Sequence, residues 1–364
     1  MTYGTVQANA IQGSINTFSP NSAVFRNRII NGAMVIDQRN AGASVTISGS
    51  RAYYIDRWNA SETTDGSATI QRVTDAPSGF TNSLKITITS ADTSLGATQV
   101  LDVQQRIEGN NIADLGWGTA SAKTVTLSFW VKSSLTGTFG GAFTNDSNRS
   151  YPFTYSISVA DTWEYKTITV AGDTSGTWAT DNSKGILVNF GLGVGSTYSG
   201  TAGAWAGSFL LSATGAVSVV GTNGATFFLT GVQLEVGSTA TSFDYRPYGT
   251  ELALCQRYCN VYGENIYSVF GTMAWAFSGT GFSSITEFPV EMRVMPTVAY
   301  TGNTRAVSGS ESIAVTSATF NTSNSSKKIA LVEPSVASGL TTNRGYAWSA
   351  NNDATARVIF SAEL

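Results

Sequence analysis

The side chains that could do chemistry in this chain are carboxylates, amides and aromatic rings, because its 364 residues include no His. Without an imidazole, the chain cannot build a Ser-His-Asp or Cys-His nucleophile, a His-ligated zinc site or a proton shuttle of that kind. Two-carboxylate glycosidases need no His, but none of the 24 Asp and Glu residues forms a diagnostic pair. We therefore predict a protein that is not an enzyme, with no metal and no cofactor.

Aromatic rings in small, polar loops are the main binding candidates. The flat face of a Trp or Tyr stacks on the C–H surface of a sugar, while amides and acids bond its hydroxyl groups. Trp178, Tyr198 and Trp205 lie in glycine-rich loops, where a ring buried between subunits is an equally good interpretation. Arg344, Tyr346 and Trp348 lie together in the segment 342–353, among amide and acid groups. The candidates are Trp178, Tyr198, Trp205, Arg344, Tyr346 and Trp348.

The elements that must position these residues are almost all strands. Apolar residues alternate with Thr, Ser or Lys, which is typical of a strand with one buried face, and Asn-Gly and Asp-Gly pairs supply tight turns. The sequence therefore predicts an all-β protein containing a jelly-roll sandwich. The predicted strands include 83–89, 124–132, 165–170, 225–236, 285–288, 297–301, 313–319 and 356–360.

One segment, 249–263, predicts a short helix with Thr250 at its N-cap. On such a helix, one face has the spacing of a coiled-coil seam and could form a trimer interface. Packing of the same face on the chain's own sheet is an equal alternative. Two cysteines on one helix face are poorly placed for a disulfide, so we expect them to be buried and reduced. The face comprises Leu252, Cys255, Cys259 and Tyr262.

This helix divides the chain into units. We predict an N-terminal arm over 1–25, a jelly-roll domain over 26–248, a helical junction over 249–263 and a smaller distal β domain over 264–364. The distal unit is large enough, at about 100 residues, to hold a core of its own.

Charge and hydropathy argue against two classes of partner. Only 12% of residues are charged and the net charge is −3, with no basic stripe that could bind phosphates, so we expect no nucleic-acid partner. The uncharged stretch 185–234 is interrupted by Gly, Ser, Thr and Asn, which disfavours a membrane span. The first 19 residues do not have the pattern of a signal peptide. We therefore expect no membrane insertion.

Several motifs follow one another in a recognisable order. They are Asn27–Arg39, Asp56–Trp58, Gln104–Glu108, Phe129–Lys132, Gly231–Gly237, Phe243–Tyr248, Glu251–Tyr258 and, as weaker matches, Phe288–Pro296 and the closing strand near Leu364. Together they resemble a family of bacteriophage and prophage tail-fibre proteins, whose jelly roll is of the carbohydrate-binding-module type. The acids within these motifs are interpreted as anchors for Arg57, Arg106 or backbone amides. These acids are Asp37, Asp56, Glu108, Glu235 and Asp244.

The resemblance implies a function and an assembly. It implies a non-enzymatic, homotrimeric component of the virion surface, made in the host cytoplasm, whose distal domain is the fibre tip. Its partners would be host-surface glycans and, through the N-terminal arm, other tail or capsid proteins. A capsid-attached fibre or decoration protein is one alternative. A polysaccharide-degrading tailspike is a second, disfavoured because no β-helix repeats are visible.

Overall fold

A computed structural model describes residues 25–145 and 147–364, apart from the side chain of Ser50. The predicted N-terminal arm, 1–25, lies outside the described residues except for Phe25. Strands account for 44% of the chain and helices for 6%, so the all-β prediction is confirmed.

The first part of the chain forms a two-layer antiparallel sandwich. Its strands are β1 (Val45–Thr46), β2 (Gly49–Ile55), β3 (Trp58–Glu62), β4 (Ser67–Val73), β5 (Ser83–Ser90), β6 (Val100–Glu108), β7 (Val125–Ser133), β8 (Gly137–Thr144), β9 (Ser150–Ile157), β10 (Glu164–Val170), β11 (Lys184–Val194), β12 (Ser199–Gly200), β13 (Ser212–Ala213) and β14 (Thr226–Val236). One sheet has the order β1-β4-β5-β14-β7-β10 and the other has the order β2-β3-β6-β11-β8-β9, while β12 and β13 form a short parallel pair. The chain crosses repeatedly between the layers, as in jelly rolls.

The two layers enclose one apolar core, and the alternation of the sequence explains which residues enter it. Leu84, Ile86 and Ile88 of β5 are fully buried, whereas Lys85 and Thr87 between them are partly exposed. The predicted strands in this domain are confirmed to within one residue at each end. The largest side chains of the core include Trp58, Phe129, Phe190 and Phe227.

The junction contains the helix α1 (Tyr248–Gln256), which is preceded by Pro247 rather than capped by Thr250. The other helices of the described residues are single 3-10 turns at Gly109–Asn111, Ala113–Leu115, Val219–Gly221 and Thr322–Asn324. No helix in the described ranges is long and apolar enough to cross a bilayer. The prediction of a helix through residue 263 is wrong, because the chain enters a strand at Cys259.

The chain leaves the helical conformation after α1 because the next segment pairs with a strand that is distant in sequence. β15 (Cys259–Tyr262) pairs with the C-terminal strand β23 (Arg357–Ser361), from Cys259 opposite Ser361 to Tyr262 opposite Val358. A β-branched and an aromatic residue suit this pleated ladder. The predicted seam is therefore wrong, since Cys259 and Tyr262 do not share a helix face with Leu252 and Cys255. Both cysteines are buried and unbonded.

The distal domain contains two sheets. Its remaining strands are β16 (Met273–Ala276), β17 (Phe282–Glu287), β18 (Thr297–Thr301), β19 (Thr304–Ser308), β20 (Glu311–Phe320), β21 (Ile329–Val336) and β22 (Ala347–Ala350). One sheet has the order β15-β23-β18 and the other has the order β16-β17-β21-β20-β19-β22. Hydrogen bonds from Ala276 N to Arg344 O (2.9 Å) and from Tyr346 N to Ala274 O (3.0 Å) join the two ends of the larger sheet. The larger sheet is thus closed like a small barrel, without long free edges.

Candidate functional site

Motif residues from distant parts of the chain meet where the sandwich contacts α1 and the distal domain. We call Arg57, Arg106, Glu108, Arg257, Tyr258 and Glu363 the junction network. Arg57 is 1% exposed, pairs with the Glu363 carboxylate and donates to the Arg106 carbonyl at 2.5 Å. Its guanidinium lies 3.5 Å from the centre of the Tyr258 ring. Arg57 is therefore neutralised and covered by residues that are far from it in sequence.

Glu108, the last residue of β6, is the second anchor of the network. It accepts hydrogen bonds from Arg257 (3.0 and 2.6 Å) and from the Tyr258 hydroxyl (2.6 Å). Burial alone would raise the pKa of Glu108, but the bonds from Arg257 and Tyr258 outweigh it and lower that pKa. The carboxylate is thus ionised at neutral pH and fixes the end of α1 to the sandwich.

A third set of polar contacts fixes the segment 27–31, which precedes the first strand of the sandwich, to α1 and to Arg246 just before it. Glu251 accepts the Asn31 amide N–H and lies 3.2 Å from Arg246, and Arg246 also donates to the carbonyls of Asn27 and Ile29. Asp56, one loop away, has its pKa raised to about 6 by burial, in spite of the nearby charge of Arg39. These groups face opposite charges or backbone groups, so their role is structural.

The anchoring interpretation of the motif acids is confirmed, although several partners differ. Asp37 accepts the N–H groups of Asn40 and Gly42, and Asp244 accepts that of Asn27. Asp56 accepts the Gln38 N–H, and Glu235 accepts the Thr241 N–H. The carboxylate that pairs with Arg57 is Glu363, at the end of the closing segment, and not one of these five acids.

Two of the predicted glycan-binding residues come together in a tryptophan cluster, defined as Trp117, Trp178 and Trp205. The three rings meet edge to face at centroid distances of 4.8 to 5.5 Å. Trp178 is only 6% exposed, so the expectation of a surface ring is wrong there. Trp205 is partly exposed, contacts the Tyr151 ring at 5.3 Å and donates to the Ala171 carbonyl. Trp205 is thus the accessible ring of this cluster, with the Tyr151 ring beside it.

Tyr198 lies apart from the tryptophan cluster. Its ring packs edge to face on Phe209 at 5.9 Å, in a small apolar group with Leu211 and Leu187. Sequence reasoning missed Trp117 and Tyr151. The Gly-Trp-Gly sequence around Trp117 resembles the glycine-rich loops of Trp178 and Trp205, and is the signal that could have identified Trp117.

The distal candidates separate into one surface residue and two core residues. Arg344 pairs with Glu311 at 2.5 Å, and the Tyr346 hydroxyl donates to the same carboxylate at 2.8 Å. Tyr346 is 5% exposed and Trp348 is 1% exposed, packed against Phe270 at 5.3 Å. The expectation that these two rings face a ligand on the surface is wrong, because both point into the barrel.

The outward face of the second sheet of the sandwich contains buried polar groups. Asp102 of β6 is fully buried, with the Gln104 amide 3.3 Å from both of its oxygens. Burial raises the pKa of Asp102 to about 6, against the charge of Arg51. Within the described residues, no group of three or more Cys, Asp or Glu side chains comes close enough together to hold a metal ion.

No protein-family model and no curated protein sequence matches this chain. Solved structures with a similar fold include a putative sugar-binding protein from Bacteroides thetaiotaomicron, with 12% identity and a TM-score of 0.35 over 58% of this chain and 100% of that one. A family 11 carbohydrate-binding module from Clostridium thermocellum gives 13% identity and a TM-score of 0.27 over 56% and 100% of the two chains. The enzymatically active domain of tailspike protein 4 of bacteriophage CBA120 gives 12% identity and a TM-score of 0.29 over 58% of this chain. The match covers 22% of the tailspike chain. Similarities of this size assign no function to the present chain.

Proposed function

We propose that this chain is a bacteriophage tail-fibre protein, a non-enzymatic and homotrimeric virion component that recognises host-surface glycans. Its main support is the convergence of the tail-fibre-like motifs on one buried network that joins two β domains. A fibre must transmit force between its tip and the particle. Because removing one partner of a buried ion pair costs about 3–5 kcal/mol, the Arg57–Glu363 contact suits such a load.

Partly exposed aromatic rings support the recognition step. Trp205 and Tyr151 lie side by side, where their edges and faces can contact the C–H surface of a sugar. A single shallow contact of this kind binds weakly. Three copies in a fibre, and several fibres in a particle, would convert weak contacts into strong adhesion.

The assembly and the location can be tested together. Multi-angle light scattering should give three times the chain mass of 38.3 kDa, and a C-terminal gold label should appear at the distal end of tail fibres in virion micrographs. A monomeric mass would contradict the trimer. Label on the capsid shell would favour the capsid-attached fibre or decoration protein instead.

The non-enzymatic role needs a separate experiment. Incubation with host surface polysaccharide should release no new reducing ends, while the trimer should adsorb to host cells. Sustained turnover that a single Asp→Asn or Glu→Gln substitution abolishes would overturn the proposal in favour of a tailspike. Retention of adsorption by a forced monomer, with an affinity equal to that of the trimer, would contradict multivalent adhesion.

A further inference from the structure

We propose that the cleft between the sandwich, α1 and the distal domain binds a short segment of an uncharged oligosaccharide, an inference that rests on the proposed glycan recognition. We call this site the junction cleft. Its volume is about 550 Å³, within the range of small-molecule sites. Its walls come from residues 35–41 and Arg72 of the sandwich, from one face of α1, and from residues 261–264 and Arg357 of the distal domain.

The face of α1 supplies an aromatic ring and an amide. Tyr248, Leu252 and Gln256 follow one another at intervals of four residues and line the same side of the cleft. Tyr248 is 64% exposed and its ring stacks on no other ring of the described chain. An exposed Tyr at the edge of a polar cleft can stack on the C–H face of a sugar. Leu252 below it gives the same wall an apolar base.

The charges of the cleft balance each other. Two acids and two arginines line it, namely Asp37, Arg72, Glu264 and Arg357. Asp37 accepts backbone N–H groups and lies 3.6 Å from Arg72 Nε. Arg357 donates through one nitrogen to the carbonyls of Ala354 and Ala356. A lining with zero formal charge gives an anion or a cation no electrostatic advantage.

Two polar groups of the lining remain available to a ligand. Within the described ranges, the Glu264 carboxylate and the Gln256 side-chain amide make no hydrogen bond. A hydroxyl group can donate to the Glu264 carboxylate and accept from the Gln256 amide. An apolar ligand would desolvate these groups without replacing their bonds with water. Neighbouring hydroxyl groups on an uncharged sugar satisfy both kinds of partner.

A hydrogen bond between the sandwich and the distal domain fixes one wall of the cleft. The Gln38 amide donates to the Asp56 carboxylate at 2.5 Å and to the Cys259 carbonyl at 3.1 Å. The wall formed by residues 35–41 is therefore fixed to β15 of the distal domain. A site fixed in this way loses little conformational entropy on binding.

The test uses the full chain on an array of cellohexaose, xylohexaose, maltohexaose and purified bacterial capsular and O-chain polysaccharides, followed by calorimetry with the best binder. Tyr248→Ala should weaken that binding at least tenfold, and Glu264→Gln should weaken it about threefold to tenfold. Both residues are exposed, so the variants should fold normally by circular dichroism. Tyr245→Ala is the matched control, because Tyr245 is 58% exposed, lies three residues away and lines a different cavity.

The outcomes separate this inference from the function on which it rests. If the wild type binds and both cleft variants bind equally well, the cleft is refuted while glycan recognition stands. Loss of binding in Trp205→Ala, with the cleft variants unaffected, would place the site at the tryptophan cluster. A wild type that prefers acidic polysaccharides over neutral ones would overturn the ligand class. A wild type that binds no glycan on the array or on host cells would overturn both proposals.

Discussion

Asp102 is fully buried on β6, and its lost hydration raises the pKa of the carboxyl group to about 6. In the unfolded chain an Asp titrates near 4. The native state therefore holds its proton to a higher pH, and the favourable contribution of the protonated group is lost as the pH rises from about 4 through about 6. The side chain of the Asp102→Asn variant cannot ionise. We therefore predict that its unfolding free energy rises by about 2–3 kcal/mol relative to that of the wild type over this pH interval.

Urea unfolding at pH 4 and pH 7.5, followed by Trp fluorescence, measures this gain. The control is Asp114→Asn, because the side chain of Asp114 is 49% exposed and forms a surface pair with Arg28. Because such a surface pair contributes at most about 1 kcal/mol, the difference in unfolding free energy between this control and the wild type should stay within that amount at both pH values. A pH-independent difference for Asp102→Asn would contradict the assignment of a raised pKa to this carboxyl group.

Two glycines at the junction should respond in opposite ways to the same added methyl group. A Cβ on Gly249, in the first turn of α1, meets no heavy atom within 4 Å. Because Ala favours helix more than Gly does, we expect Gly249→Ala to stabilise the protein by up to about 1 kcal/mol. Gly263, directly after β15, has a φ of +115°, and a Cβ there would overlap the Ala356 carbonyl oxygen. We expect Gly263→Ala to destabilise the protein by about 1–3 kcal/mol.

Differential scanning calorimetry of the two variants checks this pair. The melting temperature should rise slightly for Gly249→Ala and fall for Gly263→Ala, with α-helical circular dichroism retained in both. An equal fall in melting temperature for both variants would mean that the junction tolerates no added methyl group. It would contradict the explanation from the free space at Gly249 and the overlap at Gly263.

The elements differ in how far sequence could predict them. Strands such as β5 and β18 were predictable because their alternation is local and needs no knowledge of the partner strand. The end of α1 was not, because β15 forms only when β23, almost 100 residues downstream, supplies a ladder. Trp348 was misjudged for a similar reason, since its polar neighbours in sequence conceal a short strand facing the barrel core.

The candidate sites show the same limit. Taken alone, the glycine-rich loop around Trp178 predicts an exposed ring. In the fold, Trp117 and Trp205, which lie in two other loops, cover that ring. The partner of Arg57 could not be found from spacing, because Glu363 lies 306 positions away. Spacing also gave no sign of the junction cleft, whose walls come from segments more than 300 residues apart in sequence.

At the scale of the whole molecule, Glu363 links the sandwich to the distal domain. Its carboxylate is 6% exposed and contacts Arg57, which is 1% exposed, and Arg39 at 3.1 Å. Glu363→Ala would leave a buried guanidinium without its counter-charge, at a cost of about 3–5 kcal/mol. Because Arg57 belongs to the sandwich and Glu363 to the distal domain, the substitution weakens the contact between the two domains and leaves the core of each domain unchanged. We therefore predict that the wild type unfolds in one calorimetric transition and that Glu363→Ala unfolds in two.

Glu291→Ala is the matched control for this uncoupling, because it also removes an acid of the distal domain. Glu291 pairs with Lys327 at 2.9 Å on the surface, with both side chains nearly half exposed. Such a pair contributes at most about 1 kcal/mol, so this variant should keep the single transition. If Glu363→Ala also unfolds in one transition, then the Glu108 contacts with Arg257 and Tyr258 hold the domains together by themselves. The main connection between the domains would then be the Glu108 contacts at the end of α1 and not the buried Arg57 pair. In that case Tyr258→Phe should unfold in two transitions.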